Sequence, residues 1–214
     1  MTRWQFLKKH WVMSLIVLVV SLVAIGAVIW AVVTGEGDEG FLEGKNGKPL
    51  MWEKHQFPLL CFYHTKADAH QQHIDYARDH INEMVGEELI RICDPWLVKS
   101  PFPKEPMQGV ILLTLGTEAE AGGDGTYTSS PFSPQHGGTT VLATFKGTNN
   151  LYGAIIYVDP SAKQELLNVI WLHEFLHALG LKHDRLTSSI MYPVASGRPQ
   201  KLSGRDIERL KEYK

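Results

Sequence analysis

His173-Glu174-Phe175-Leu176-His177-Ala178-Leu179-Gly180-Leu181-Lys182-His183 holds three histidines in a spacing that means little unless the chain is first a helix and then turns. Residues four apart on a helix stand one turn apart on the same face, so His173 and His177 can reach one metal ion together. A straight helix would carry His183 away from that face. Gly180 can take a left-handed backbone conformation, end the helix and bring His183 back. The run is therefore an H-E-x-x-H-x-x-G-x-x-H metal motif, and zinc is the expected ion.

Catalytic zinc takes three protein ligands and leaves a fourth position for water, whereas closed structural sites usually have four ligands, often cysteines. The run offers three histidines and no fourth ligand at a matching spacing. Three neutral imidazoles leave the ion its full charge, which lowers the pKa of bound water toward about 7. Glu174, beside the first ligand, is placed to accept that water's proton and return it to a leaving group. The expected metal ligands are His173, His177 and His183, with one zinc ion, and the expected general base is Glu174.

The 214 residues are 44% hydrophobic with a formal charge of -2. That balance, with no basic stripe, gives no reason to expect a nucleic-acid partner. Residues 11–33, Trp11 to Val33, form an uncharged apolar run of 23 residues, long enough to cross a bilayer core of about 30 Å. Arg3, Lys8 and Lys9 precede it and Glu36, Asp38 and Glu39 follow. The positive side should stay in the cytoplasm, so residues 1–10 are expected there and the rest of the chain outside. The competing reading is a cleaved signal peptide, whose apolar region is usually about 7–15 residues. In that case the protein is secreted. Residues 34–57 read as a Gly- and charge-rich tether with a reach of about 25–30 Å.

From Pro58 to Lys214 the pattern alternates strand and helix. Leu59–Tyr63, Leu89–Cys93, Val110–Leu115, Thr139–Phe145 and Ala154–Val158 read as strands. Asp68–Val85 reads as an amphipathic helix with Ile74, Ala77, Ile81 and Met84 on one stripe. Residues 117–138 are a Gly/Ser/Pro-rich loop. The motif helix should begin near Asp159-Pro160-Ser161, capped by Asp159, or by Ser161 with Gln164 as a capping box. A last helix is expected from about Ser203 to Tyr213.

These residues resemble the metzincin metallopeptidases and, among them, the matrixins. Beyond the zinc motif, Ser189-Ile190-Met191-Tyr192-Pro193 is similar to the matrixin methionine turn. Val141 to Phe145 and Gly153 to Asp159 are similar to the family's edge strand and the next strand, and Leu202 to Ile207 to the start of its final helix. The resemblance implies an α+β fold: a five-stranded mixed sheet with an active-site helix, a methionine turn and a C-terminal helix. It implies a zinc endopeptidase whose protein or peptide substrate lies extended along the edge strand near Val141 to Phe145. Met191 would underlie the zinc without ligating it, and Pro193 to Gln200 would wall the specificity pocket. The chain also departs from the family. Nothing resembles the prodomain cysteine switch. Of the structural-zinc pattern only His136 is present, so no second zinc is expected, and calcium is left open. Asp184 follows the third histidine, as in adamalysins. Proline at 193 leaves no tyrosine of the kind astacins place there, and Tyr192 is not given that role.

Cys61 and Cys93 are the only cysteines. They are either a disulfide, if the domain faces an oxidising compartment, or buried thiols. His64, His70, His73, His80 and His136 read as boundary or solvated residues, since no carboxylate or cysteine completes a second site. Two functions compete with the peptidase: a catalytically silent peptide-binding module, and an envelope structural module with the same fold. Glu174 argues against the first, because holding zinc needs no base beside the first ligand; for the second, chelation should lower thermal stability with no peptide cut.

Overall fold

Strand β4, Val110–Leu115, sorts its side chains by period two. Ile111 and Leu113 join the core under the helices, while Val110 and Leu112 join a second apolar cluster on the other face. Strand β7, Asn150–Val158, divides likewise: Ala154, Ile156 and Val158 go inward, Ile155 and Tyr157 outward. Both faces of the central sheet are therefore covered, which is why these strands read as continuous apolar runs.

This architecture comes from a computed structural model that describes residues 41–44, 46–97, 101–116, 128–129, 137–193 and 201–213. The remaining strands are β1 (Met51–Trp52), β2 (Leu59–Tyr63), β3 (Ile90–Pro95), β5 (Thr128–Ser129) and β6 (Gly138–Thr144). They form one sheet ordered β3-β2-β4-β7-β6-β5, with β1 laid parallel on β7. β3, β2, β4 and β7 run parallel, while β6 is antiparallel to β7 and β5 antiparallel to β6. The sheet is mixed, as expected, but has seven strands among the described residues where five were expected. The two additions, β1 and β5, are two residues each, too short for any periodicity to mark them.

Helix α1, Gln71–Val85, buries Ile74, Ala77, Ile81 and Val85 and ends at Gly86 in the left-handed conformation. Its expected first turn is different: Thr65–His70 is 3-10 helix, opened by the Lys66 amide donating to His64 Nδ1. Helix α2, Leu167–Ala178, carries the first two histidines and is buried at almost every position, so it shows no amphipathic stripe. Its expected start is also corrected. Asp159 Oδ1 accepts from the amide and hydroxyl of Ser161 and closes a turn there. The 3-10 segment Gln164–Leu166 follows, and α2 begins without a side-chain cap. Helix α3, Gly204–Lys211, opens with a capping box between Ser203 and Asp206.

The tether expected over residues 34–57 is folded from Phe41. Phe41, Leu50 and Trp52 are buried in the main core, because β1 and the turn before it pack where α2 ends. The domain thus begins well before Pro58, and Gly40–Lys214 is one compact unit. Cys61 and Cys93 face each other across β2 and β3 and form a disulfide with a Cα–Cα distance of 4.4 Å. The expected membrane span, residues 11–33, lies outside the described residues, as does His136. Among the described residues, no helix is long and apolar enough to cross a membrane.

Candidate active site

The end of α2 creates the site. The Gly180 amide donates to His177 O and the Leu181 amide to Leu176 O, with Gly180 at φ 92°. This pair of bonds is the Schellman arrangement that closes a helix with a left-handed residue. The turn is packed tightly: a Cβ on Gly180 would sit 2.6 Å from Leu50 O. Three more bonds hold the last carbonyls. Trp52 Nε1 donates to Ala178 O at 2.8 Å, the Tyr213 hydroxyl to Leu179 O, and the Leu42 amide to Gly180 O at 2.6 Å. Burial raises the Tyr213 hydroxyl pKa strongly, so it stays a donor.

The redirected chain returns His183 to the other two histidines. His183 Nε2 lies 3.2 Å from His173 Nε2 and 3.0 Å from His177 Nε2. His173 Nδ1 is 2.7 Å from Ile190 O, and His177 Nδ1 is 2.7 Å from Leu181 O. A carbonyl only accepts, so each of these Nδ1 atoms must carry its proton, and the Nε2 atoms are left with lone pairs. His183 Nε2 faces both of these lone pairs, an arrangement that one cation shared among the three nitrogens would satisfy. Nitrogens about 2.0–2.1 Å from a tetrahedral zinc would be about 3.3 Å apart, so the donor set fits that ion in chemistry and in spacing. Among the described residues this trio is the one cluster with metal-ligand geometry.

Glu174 lies against β6 and is 1% exposed. Thr140 Oγ1 is 2.7 Å from Glu174 Oε2 and 3.0 Å from Glu174 O. Burial pushes the carboxyl up to about 8, and the Thr140 hydrogen bond works in the opposite direction. A divalent cation on the imidazoles would lower it again.

Met191 is fully buried. The loop around it is tied to the histidines, since the Asp184 amide donates to Met191 O at 2.8 Å and Asp184 Oδ1 accepts from the Leu186 amide. The expected pocket wall reaches only Pro193 before leaving the described residues. One expectation is corrected here. Val141 and Leu142, within the edge expected to bind substrate, are already paired with Ser129 and Thr128 of β5. His70 and His73 have partners on α2. His70 Nδ1 accepts from Trp171 Nε1 at 3.3 Å, tying the 3-10 segment to α2, and His73 Nδ1 is 2.7 Å from Asn168 Oδ1, tying α1 to α2. Thr140, Trp52 and Tyr213 escaped the sequence reading. Thr140 left one signal: a polar residue in phase with Leu142 on a strand whose register faces the core.

A family model described as matrixin matches residues 51–213. No curated protein matches the chain.

Proposed function

This chain belongs to the matrixin family, a family of metallopeptidases, and we propose from that premise that it is a zinc-dependent endopeptidase with Glu174 as proton carrier. The observation that carries the reading is the convergence of the His173, His177 and His183 Nε2 atoms, with Glu174 buried next to His173 on α2. His173, His177 and His183 would hold the ion. Bound there, zinc would activate water and stabilise negative charge developing on the scissile carbonyl oxygen. The chain's own groups supply the remainder. The carbonyls of Ile190 and Leu181 hold two imidazoles in the tautomer that presents Nε2. Glu174 takes a proton from the attacking water and passes it to the departing amine. Met191 forms an apolar floor beneath the ligands. An extended substrate would add to the β6 edge beyond β5, from Ala143 onward, through backbone hydrogen bonds.

The test is cleavage of an unfolded protein by the zinc-loaded domain, with and without chelator. Glu174→Ala should lower turnover by at least about 100-fold while the protein keeps one equivalent of zinc. Undiminished cleavage by that variant would remove the assigned base.

We also propose that residues 11–33 anchor the chain, with the domain on the outer side of the membrane. The charge bias around the apolar run supports this, as does the Cys61–Cys93 disulfide, which suits an oxidising compartment. The full chain should sediment with membranes, survive alkaline extraction and be digested by protease added to intact cells. Protection from that protease would reverse the orientation, and release by alkali would remove the anchor.

A further inference from the structure

We propose that Thr140 is a positioning residue for Glu174: its hydroxyl ties down Oε2 and leaves Oε1 as the oxygen that exchanges the proton. This rests on the reading of Glu174 as proton carrier. The side chains meet across 34 residues of sequence, where β6 passes alongside α2. Thr140 is buried, and its Oγ1 reaches Glu174 Oε2 at 2.7 Å. Two residues earlier on the same face of β6 is Gly138. A Cβ there would come within 3.0 Å of Glu174 Cγ and 3.1 Å of Oε1, and equally close to Tyr157 O. The strand therefore meets the carboxyl in two ways: a hydrogen bond holds one oxygen, and the missing Cβ of Gly138 leaves room for the other.

A threonine hydroxyl has one proton to donate and two acceptors in reach, Oε2 and the main-chain Glu174 O at 3.0 Å. With Glu174 ionised, the carboxylate is the stronger acceptor, and the charge-assisted bond holds the side chain in one rotamer. Once Oε1 carries the proton, Oε2 is a neutral carbonyl oxygen and the main-chain oxygen competes for the hydroxyl. The restraint is thus greatest when Glu174 must receive a proton. Without it the carboxyl can rotate about its terminal torsions, where the barriers are broad and low.

The test compares Thr140→Val, which keeps the shape and loses the hydroxyl, with Thr140→Ser, which keeps the hydroxyl. Thr140→Val should lower kcat about 10- to 100-fold, the range expected when a reacting group is misplaced by about 1 Å. KM and zinc content should hold, and Thr140→Ser should recover most of kcat. An unchanged kcat in Thr140→Val, or a change confined to KM, would overturn the assignment. If the valine variant fails to fold, Thr140→Ala against Thr140→Ser decides: equal impairment of the two overturns the proposal, and a clear advantage for serine supports it. A crystal structure of Thr140→Val provides a readout apart from activity. The Glu174 carboxyl should swing away from β6 with the three imidazoles in place, and an unmoved carboxyl overturns the proposal. Because that readout needs no turnover, an inactive wild-type enzyme would sink the peptidase reading and leave this one to be judged separately.

Discussion

At Glu174 a single carboxyl carries both the proposed chemistry and a measurable cost to the fold. Its pKa in the folded chain rises from an ordinary 4.5 to about 8 because burial disfavours the charge. Below pH 4.5 the group is mostly protonated folded or unfolded and gives stability no pH dependence. Between 4.5 and 8 the folded state retains a proton that the unfolded state has lost, so stability falls as pH rises through that window. In metal-free protein, raising the pH from 5 to 8 should therefore lower Tm more in the wild type than in Glu174→Gln, which has no such titration. Thermal unfolding of the chelated proteins at both pH values checks this, and parallel curves would refute it. Zinc should narrow the difference, since a cation nearby favours the ionised form. His173, Glu174 and His177 were legible in the sequence because helical spacing puts them on one short run, and His183 because Gly180 marks the turn that returns it. Thr140 was not, because its partner lies on another element and only the packing of β6 on α2 introduces them.

Helix α2 shows what an element requires beyond its own sequence. The last carbonyls of a helix have no partner within it, and here the donors come from both ends of the domain: Trp52 and Leu42 before β2, Tyr213 after α3. The C-terminus of α2 is also where the chain turns to deliver His183, so these caps support its position. Trp52→Phe keeps a ring in the core and removes the indole donor to buried Ala178 O. It should cost about 1–3 kcal/mol of stability, read from the denaturant midpoint, and should weaken zinc binding as His183 loosens. Unchanged stability would mean that the carbonyl finds another donor. Gly180 as the helix stop was readable from its place three residues after His177. The start of α2 was not. Asp159 and Ser161 have the chemistry of a cap, but they spend it on each other in a turn, and the helix forms further on where Leu167 can be buried.

On the scale of the whole domain, the segment 41–52 is the main revision. Its glycines and charges imitate a tether, yet Phe41, Leu50 and Trp52 are anchored in the core and β1 extends the sheet from β7. The disulfide adds a second long-range link. Its 32-residue span is worth roughly 3–4 kcal/mol as lost freedom of the unfolded chain. Periodicity and motif spacing by themselves determined the five longer strands, the order of elements and the three candidate histidines, because each depends on residues close together along the chain. Only the tertiary structure decided what covers the helix end, which hydroxyl holds Glu174, that the cysteines join and that β5 occupies part of the β6 edge. Those contacts pair residues tens to more than a hundred positions apart, and no local pattern encodes a partner that folding alone brings within hydrogen-bonding distance.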